Sequence, residues 1–121
     1  MTDKPTQDQI EALIHDWYWD ALSHEFARQL GALLLSFMDY LQTLALSERT
    51  IRQHRGNCWL IGYLVCNYSY HDSFSPAIFL GEPSYLYEFK RKVSSSKYAA
   101  ASYKATWRKL QKYVRQSYTS N

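Results

Sequence analysis

The chain has 121 residues, a net charge of +3 and 46% hydrophobic residues, and this balance excludes a disordered chain. Only 4 glycines and 3 prolines interrupt it, which argues against a turn-rich β fold. We therefore expect one all-α domain over residues 1–121, folded as a compact bundle of about five helices.

The net charge is unevenly distributed along the chain. Residues 1–48 carry eight acids and two bases, giving −6, whereas residues 88–121 carry nine bases and one acid, giving +8. Residues 49–87 add +1. This asymmetry indicates either a C-terminal end that faces a polyanion or acidic and basic halves that neutralise each other, in the fold or between copies.

The sequence also bears on location. The N-terminal residues lack the apolar core of a signal peptide, and the longest apolar run, near residues 32–35, is far too short to span a bilayer. Cys58 and Cys66 on one helix would lie about 12 Å apart, beyond the reach of a disulfide. We expect reduced, buried thiols, a cytoplasmic protein and no membrane partner.

The first two predicted helices are apolar on one side. Thr6 and Gln9 fit a capping box at the start of the first helix, which ends in the aromatic segment WYW at residues 17–19. That segment is either core or an aromatic surface for a partner. The second helix begins at Asp20 or Ser23 and runs to residue 45, and whether it continues the first stays open. Gly31 inside it predicts the close approach of a neighbouring helix.

The third predicted helix follows Ser47, a strong N-cap residue, and ends near residue 67. Its apolar residues leave only the start exposed. That start carries three arginines at three-residue spacing, here called the arginine triplet: Arg49, Arg52 and Arg55. They are either phosphate ligands or an ordinary solvated face.

The C-terminal part is predicted to hold a short turn after Ser75, a helix capped by Ser84 that ends near residue 93, and a last helix from 97 to 116 capped by Ser96. Tyr103, Trp107 and neighbouring apolar residues form one stripe of the last helix. Four cations run beside that stripe, here called the basic row: Lys104, Arg108, Lys112 and Arg115. With further cations at residues 90–92, they predict either phosphate contacts or a solvated face.

No pattern of catalytic or metal-binding residues stands out. His54 and Cys58 could supply two metal ligands, but nothing provides two more. The adjacent pairs at residues 15–16 and 71–72 (His-Asp in both) diverge on a helix, and no nucleophile accompanies them. Glycine-rich phosphate loops are missing as well. We expect no catalytic residue, no cofactor and no metal, and therefore no enzyme.

Several short motifs resemble known DNA-binding families. The segment LSERTIR at 46–52 looks like the start of a helix-turn-helix recognition helix. A longer stretch, with FMDYL at 37–41, LSERT at 46–50 and SSS at 94–96 before an amphipathic helix, is similar to the SAM-like core-binding domain of tyrosine recombinases and phage integrases. The resemblance covers about residues 37–116. It implies four or five helices that clamp DNA, with the arginine triplet and the basic row near phosphates.

The family's catalytic domain has no counterpart here, so the resemblance implies DNA binding without recombination. The motifs WLIG at 59–62 and WRKL at 107–110 are also similar to small helical bacterial proteins of unassigned role. The leading hypothesis is a non-catalytic DNA-binding module that contacts phosphates through its basic helix faces. The alternative is a protein-interaction or structural domain that uses the acidic N-terminal half and the aromatic segment, with itself or another protein as partner.

Overall fold

The computed structural model describes residues 5–68 and 73–119, with side chains to residue 117. The described residues form five α-helices and no strand, which confirms the all-α prediction. The helices are α1 (Gln7–Ile14), α2 (Ala21–Leu41), α3 (Glu48–Tyr68), α4 (Leu86–Lys92) and α5 (Lys97–Val114).

The chain divides into two compact units, Met1–Phe74 and Ser75–Asn121, here called the N-terminal and C-terminal units. The expectation of a single domain stays a prediction. His71 and Asp72, one of the two adjacent pairs considered above, lie outside the described residues.

The first two helices are separate. The capping box at the start of α1 is confirmed, because the Thr6 hydroxyl accepts from the Gln9 amide at 3.1 Å and the Gln9 side chain accepts from the Thr6 amide at 2.9 Å. Helix α1 ends at Ile14, earlier than expected, and a second capping box opens α2. There Asp20 accepts from the Ser23 amide at 2.8 Å, and the Ser23 hydroxyl accepts from the Asp20 amide at 3.1 Å.

Two glycines let the helices of the N-terminal unit approach closely, and α2 packs against both α1 and α3. A methyl group at Gly31 would lie 2.6 Å from Cγ2 of Ile14, so the expected close approach is confirmed. A methyl group at Gly62 in α3 would overlap the indole of Trp17. Trp17 is therefore core, whereas Trp19 is exposed. The core interpretation of the aromatic segment is confirmed for Trp17, and a partner surface at Trp19 stays a prediction.

The junction between α2 and α3 is a sharp turn. Helix α2 ends at Leu41, one turn of 3-10 helix follows, and Ala45 takes a left-handed conformation with φ of 56°. The helix therefore stops before residue 45, where the sequence placed its end. Ser47 then caps α3 as predicted, since its hydroxyl accepts from the Thr50 amide at 3.1 Å.

The C-terminal unit departs from the sequence prediction at α4. The Ser75 hydroxyl accepts from the Ala77 amide at 3.2 Å and opens a 3-10 turn at Pro76, as expected. Ser84, however, does not cap α4. The helix begins after Tyr85, which has φ of 64° and makes no side-chain cap. The Ser84 hydroxyl instead donates to the Glu82 carbonyl at 3.4 Å, and the Ser84 carbonyl accepts a 2.8 Å hydrogen bond from the Tyr103 hydroxyl.

An aromatic cluster holds α5 in the C-terminal unit. Trp107 packs on Phe79 with ring centroids 5.0 Å apart, and Tyr103 packs on Phe89 at 4.7 Å. The Gln111 side chain donates to the carbonyl oxygens of Leu80 and Gly81 at 2.7 and 2.9 Å. These contacts fix which side of α5 turns inward and therefore which side faces solvent. Ser96 caps the helix as predicted, accepting from the Ala99 amide at 3.2 Å.

Candidate nucleic-acid interface

The basic row lies outside the buried stripe of α5. Tyr103, Trp107, Leu110 and Val114 are buried, and each residue turns the helix by about 100°. By that geometry Lys104, Arg108 and Lys112 share an arc of about 80° that begins beside the buried stripe and extends to the far side of the helix. Arg108, Lys112 and Arg115 are exposed, and Lys104 is partly buried. The structure therefore brings the predicted cations together on one face.

Three members of the basic row share a shallow depression. This depression has a volume of about 380 Å³. Its described lining residues are Ala105, Arg108, Lys109, Gln111, Lys112 and Arg115. Four of the six are cations and none is acidic, while Lys104 lies outside it. A surface with this lining presents several cations to a phosphate group.

Acidic groups neutralise little of the positive charge of the C-terminal unit. The C-terminal unit has nine lysines and arginines against two glutamates, giving +7. Arg108 reaches Glu82 at 3.7 Å, but both side chains are exposed, and ion pairs of that kind contribute little. A phosphate can therefore replace Glu82 as the partner of Arg108 at low cost.

The arginine triplet is arranged less favourably for binding a phosphate than the basic row is. Its three side chains are exposed, as the sequence predicted, but Arg52 pairs with Glu48 at 3.8 Å. A depression of about 510 Å³ includes Arg52 and Arg55 in its lining together with Glu48 and apolar residues, and Arg49 lies outside it. The N-terminal unit has nine acids and five bases, giving −4. A carboxylate inside the depression weakens it as a phosphate site.

The sequence prediction missed two exposed tyrosines in the C-terminal unit. Tyr87 on α4 is 70% exposed and Tyr98 on α5 is 69% exposed. The guanidinium carbon of Arg91 lies 5.6 Å from the centroid of the Tyr87 ring. Both tyrosines fall outside the apolar stripes of their helices and stand beside cations, so the sequence held a signal that could have identified them.

Both cysteines are buried in the N-terminal unit. Cys58 and Cys66 form no disulfide, in line with the predicted reduced thiols. Burial raises the pKa of both thiols, that of Cys66 to about 12, which suppresses the reactive thiolate. His54 is buried, and His15 is exposed beside Asp16.

Neither a metal centre nor a membrane span is found in the described part of the chain. Within residues 5–68 and 73–119, no three His, Cys, Asp or Glu side chains are grouped so that they could hold a metal ion. No helix there is both long enough and apolar enough to cross a bilayer.

Comparison with known proteins adds no relative. No family model, no curated protein and no solved structure matches the chain. The resemblance to the tyrosine recombinase core-binding domain stays a prediction from its sequence motifs.

Proposed function

We propose that this chain binds DNA without catalysing a reaction on it, and that the basic row contacts the phosphate backbone. The observation that supports this most is the grouping of Arg108, Lys112 and Arg115 around one depression that no described acidic residue lines. The +7 charge of the C-terminal unit supports it further, because a polyanion is the partner that such a surface attracts most strongly.

The spacing of the cations suits a nucleic-acid strand. Lys104, Arg108 and Lys112 follow one another at four-residue intervals, which correspond to about 6 Å along the helix axis. Phosphates recur every ~3.4 Å of axis along each strand of a duplex. Three long side chains spaced over about 12 Å can therefore reach successive or alternate phosphates without moving the backbone.

The arginine triplet is proposed as a secondary contact. Arg55 is exposed beside Arg52, but Glu48 stands in the same depression and repels phosphate. We therefore assign most of the binding free energy to the basic row.

Charge reversal of the basic row tests the proposal. The triple variant Lys104→Glu, Arg108→Glu, Lys112→Glu should abolish binding to a fluorescently labelled duplex, measured by anisotropy in 50 mM salt. Circular dichroism and urea unfolding should match the parent protein, because none of the three residues belongs to the core.

The matched control reverses the arginine triplet, which changes the net charge by the same amount. This variant should keep measurable binding. Equal loss in both variants would show that net charge, and not the face of α5, governs binding, and unchanged binding in the first variant would contradict the proposal outright.

A second candidate is a protein-interaction domain, and one observation favours it. Trp19 and Leu22, three residues apart at the start of α2, are 60% and 57% exposed in a unit of net charge −4. Exposed large apolar side chains of this kind are common at protein interfaces. Light scattering at two salt concentrations tests the self-association form of this candidate, which a monomer at both concentrations would contradict.

A further inference from the structure

Tyr87 and Tyr98 are two large aromatic rings that the C-terminal unit leaves in solvent, at 70% and 69% exposure. The aromatic cluster of this unit does not include them, since Tyr103 packs on both Phe89 and Trp107. Most of each exposed ring is therefore accessible to a ligand.

Cations lie close to both tyrosines along the chain. Tyr87 precedes an exposed run of three cations, Lys90, Arg91 and Lys92. Arg91, one helical turn further on, lies over the Tyr87 ring at 5.6 Å, which restrains the ring while most of it stays open to solvent. Tyr98 follows the exposed Lys97 in the first turn of α5.

Exposed rings between cations match one kind of polyanion. A single strand offers phosphates together with unpaired bases whose flat faces can stack on aromatic side chains. A duplex keeps its base faces stacked inside and offers a protein mainly phosphates and groove edges. Rings that protrude among lysines and arginines are therefore useful for a single strand and add little on a duplex.

We infer that the surface around Tyr87 and Tyr98 binds single-stranded DNA. The two rings stack on bases, while Lys90, Arg91 and Lys97 contact the phosphates between them. This inference rests on the proposed DNA-binding function and adds the strand class. The few acids of the unit support it, because the only carboxylate on α4 is Glu88, against three cations on that helix.

The test compares a variant that lacks both tyrosine rings with a variant that keeps an aromatic ring at each position, both in the chain of residues 1–121. Binding to a labelled 15-nucleotide oligo(dT) is measured by anisotropy for the parent protein, for Tyr87→Ala with Tyr98→Ala, and for Tyr87→Phe with Tyr98→Phe. The alanine pair should lose affinity by about tenfold for each ring, which is the size of effect expected for base–aromatic stacking. The phenylalanine pair should bind like the parent, since it keeps both rings.

Salt dependence separates stacking from charge. The alanine pair should keep the parent's slope of log affinity against log salt, because no cation has been removed. Its affinity for a duplex should also stay unchanged. Ile78→Ala, which removes an exposed apolar residue without a ring, is the matched control and should leave oligo(dT) binding unchanged.

The outcomes distinguish a failure of the single-strand inference from a failure of the proposed DNA-binding function. If neither the single strand nor the duplex binds at low salt, the proposed function fails. If both bind and the alanine pair binds oligo(dT) as tightly as the parent, the function stands and the inference is wrong. Equal losses in the alanine and phenylalanine pairs, or tighter binding of the duplex by the parent, would also overturn the inference.

Discussion

At the scale of single residues, the two glycines of α3 show how packing decides the effect of one methyl group. Gly62 faces the indole of Trp17, whereas a methyl group at Gly56 meets no described atom within 4 Å. Both are helical, so alanine improves the intrinsic helix propensity equally at the two positions. Any difference between the two variants therefore reports the contact with Trp17.

We expect Gly62→Ala to destabilise the protein by up to about 2 kcal/mol, because overpacking costs about 1–3 kcal/mol and the gain in helix propensity offsets about 1 kcal/mol of it. Gly56→Ala should instead stabilise it by about 0.5–1 kcal/mol. Urea unfolding measures both. Stabilisation by Gly62→Ala would contradict the described position of Trp17.

The thiols give a prediction about pH and reactivity. Desolvation raises the pKa of Cys66 to about 12 and that of Cys58 well above its ordinary value. The protonated thiols should therefore react very slowly with a disulfide reagent at pH 8 in the folded protein, and both should react at once in urea. Fast reaction of the folded protein would contradict the burial of these residues.

The same shifts have a consequence for stability. Because the folded state holds the protonated thiols, their contribution is fully present below the unfolded thiol pKa near 8.5 and is lost as the pH rises towards the folded values. The free energy of unfolding should consequently fall in this alkaline range, and substitution of both cysteines by alanine should reduce that fall.

At the scale of elements, the helix starts show what the sequence can predict. Thr6, Ser47 and Ser96 cap their helices as expected, because a capping hydrogen bond spans only three residues and depends on local sequence. The prediction that Ser84 caps α4 was wrong, since its hydroxyl donates to the Glu82 carbonyl and its carbonyl accepts from the distant Tyr103. Local signals therefore predicted most helix starts, whereas the ends of α1 and α2 came earlier than the sequence indicated.

In the candidate site, too, local sequence predicts some features and tertiary packing decides others. The spacing of the basic row along α5 predicted that its members share a face, since helical periodicity is a local property. Periodicity could not show that Glu48 enters the depression beside Arg52. That property depends on which residues the neighbouring elements leave uncovered.

Two variants of equal net charge test whether the position of the cations on α5 matters for DNA binding. The variant Arg108→Gln with Lys112→Gln and the variant Ala12→Glu with Ala21→Glu each lower the net charge by two. All four positions are exposed, so stability should change little. The first variant should lose at least tenfold in affinity for DNA and the second much less. Equal losses would contradict a specific role for α5.

At the scale of the whole molecule, the distribution of charge sets the expected behaviour. The N-terminal unit carries −4 and the C-terminal unit +7, so a net charge of +3 understates the local attraction of a polyanion. Under the proposed function, the acidic unit repels DNA and limits how strongly the chain binds without sequence preference. This charge distribution favours binding that the C-terminal unit dominates and that falls steeply as salt screens it.

The most direct test of the central claim is the salt dependence of duplex binding by the unmodified chain. Each phosphate contact contributes about 0.9 to the negative slope of log affinity against log salt. Contacts from all four members of the basic row predict a slope of about −3.6 or steeper. A slope near zero, or no binding at low salt, would contradict the assignment of the basic row to the DNA backbone.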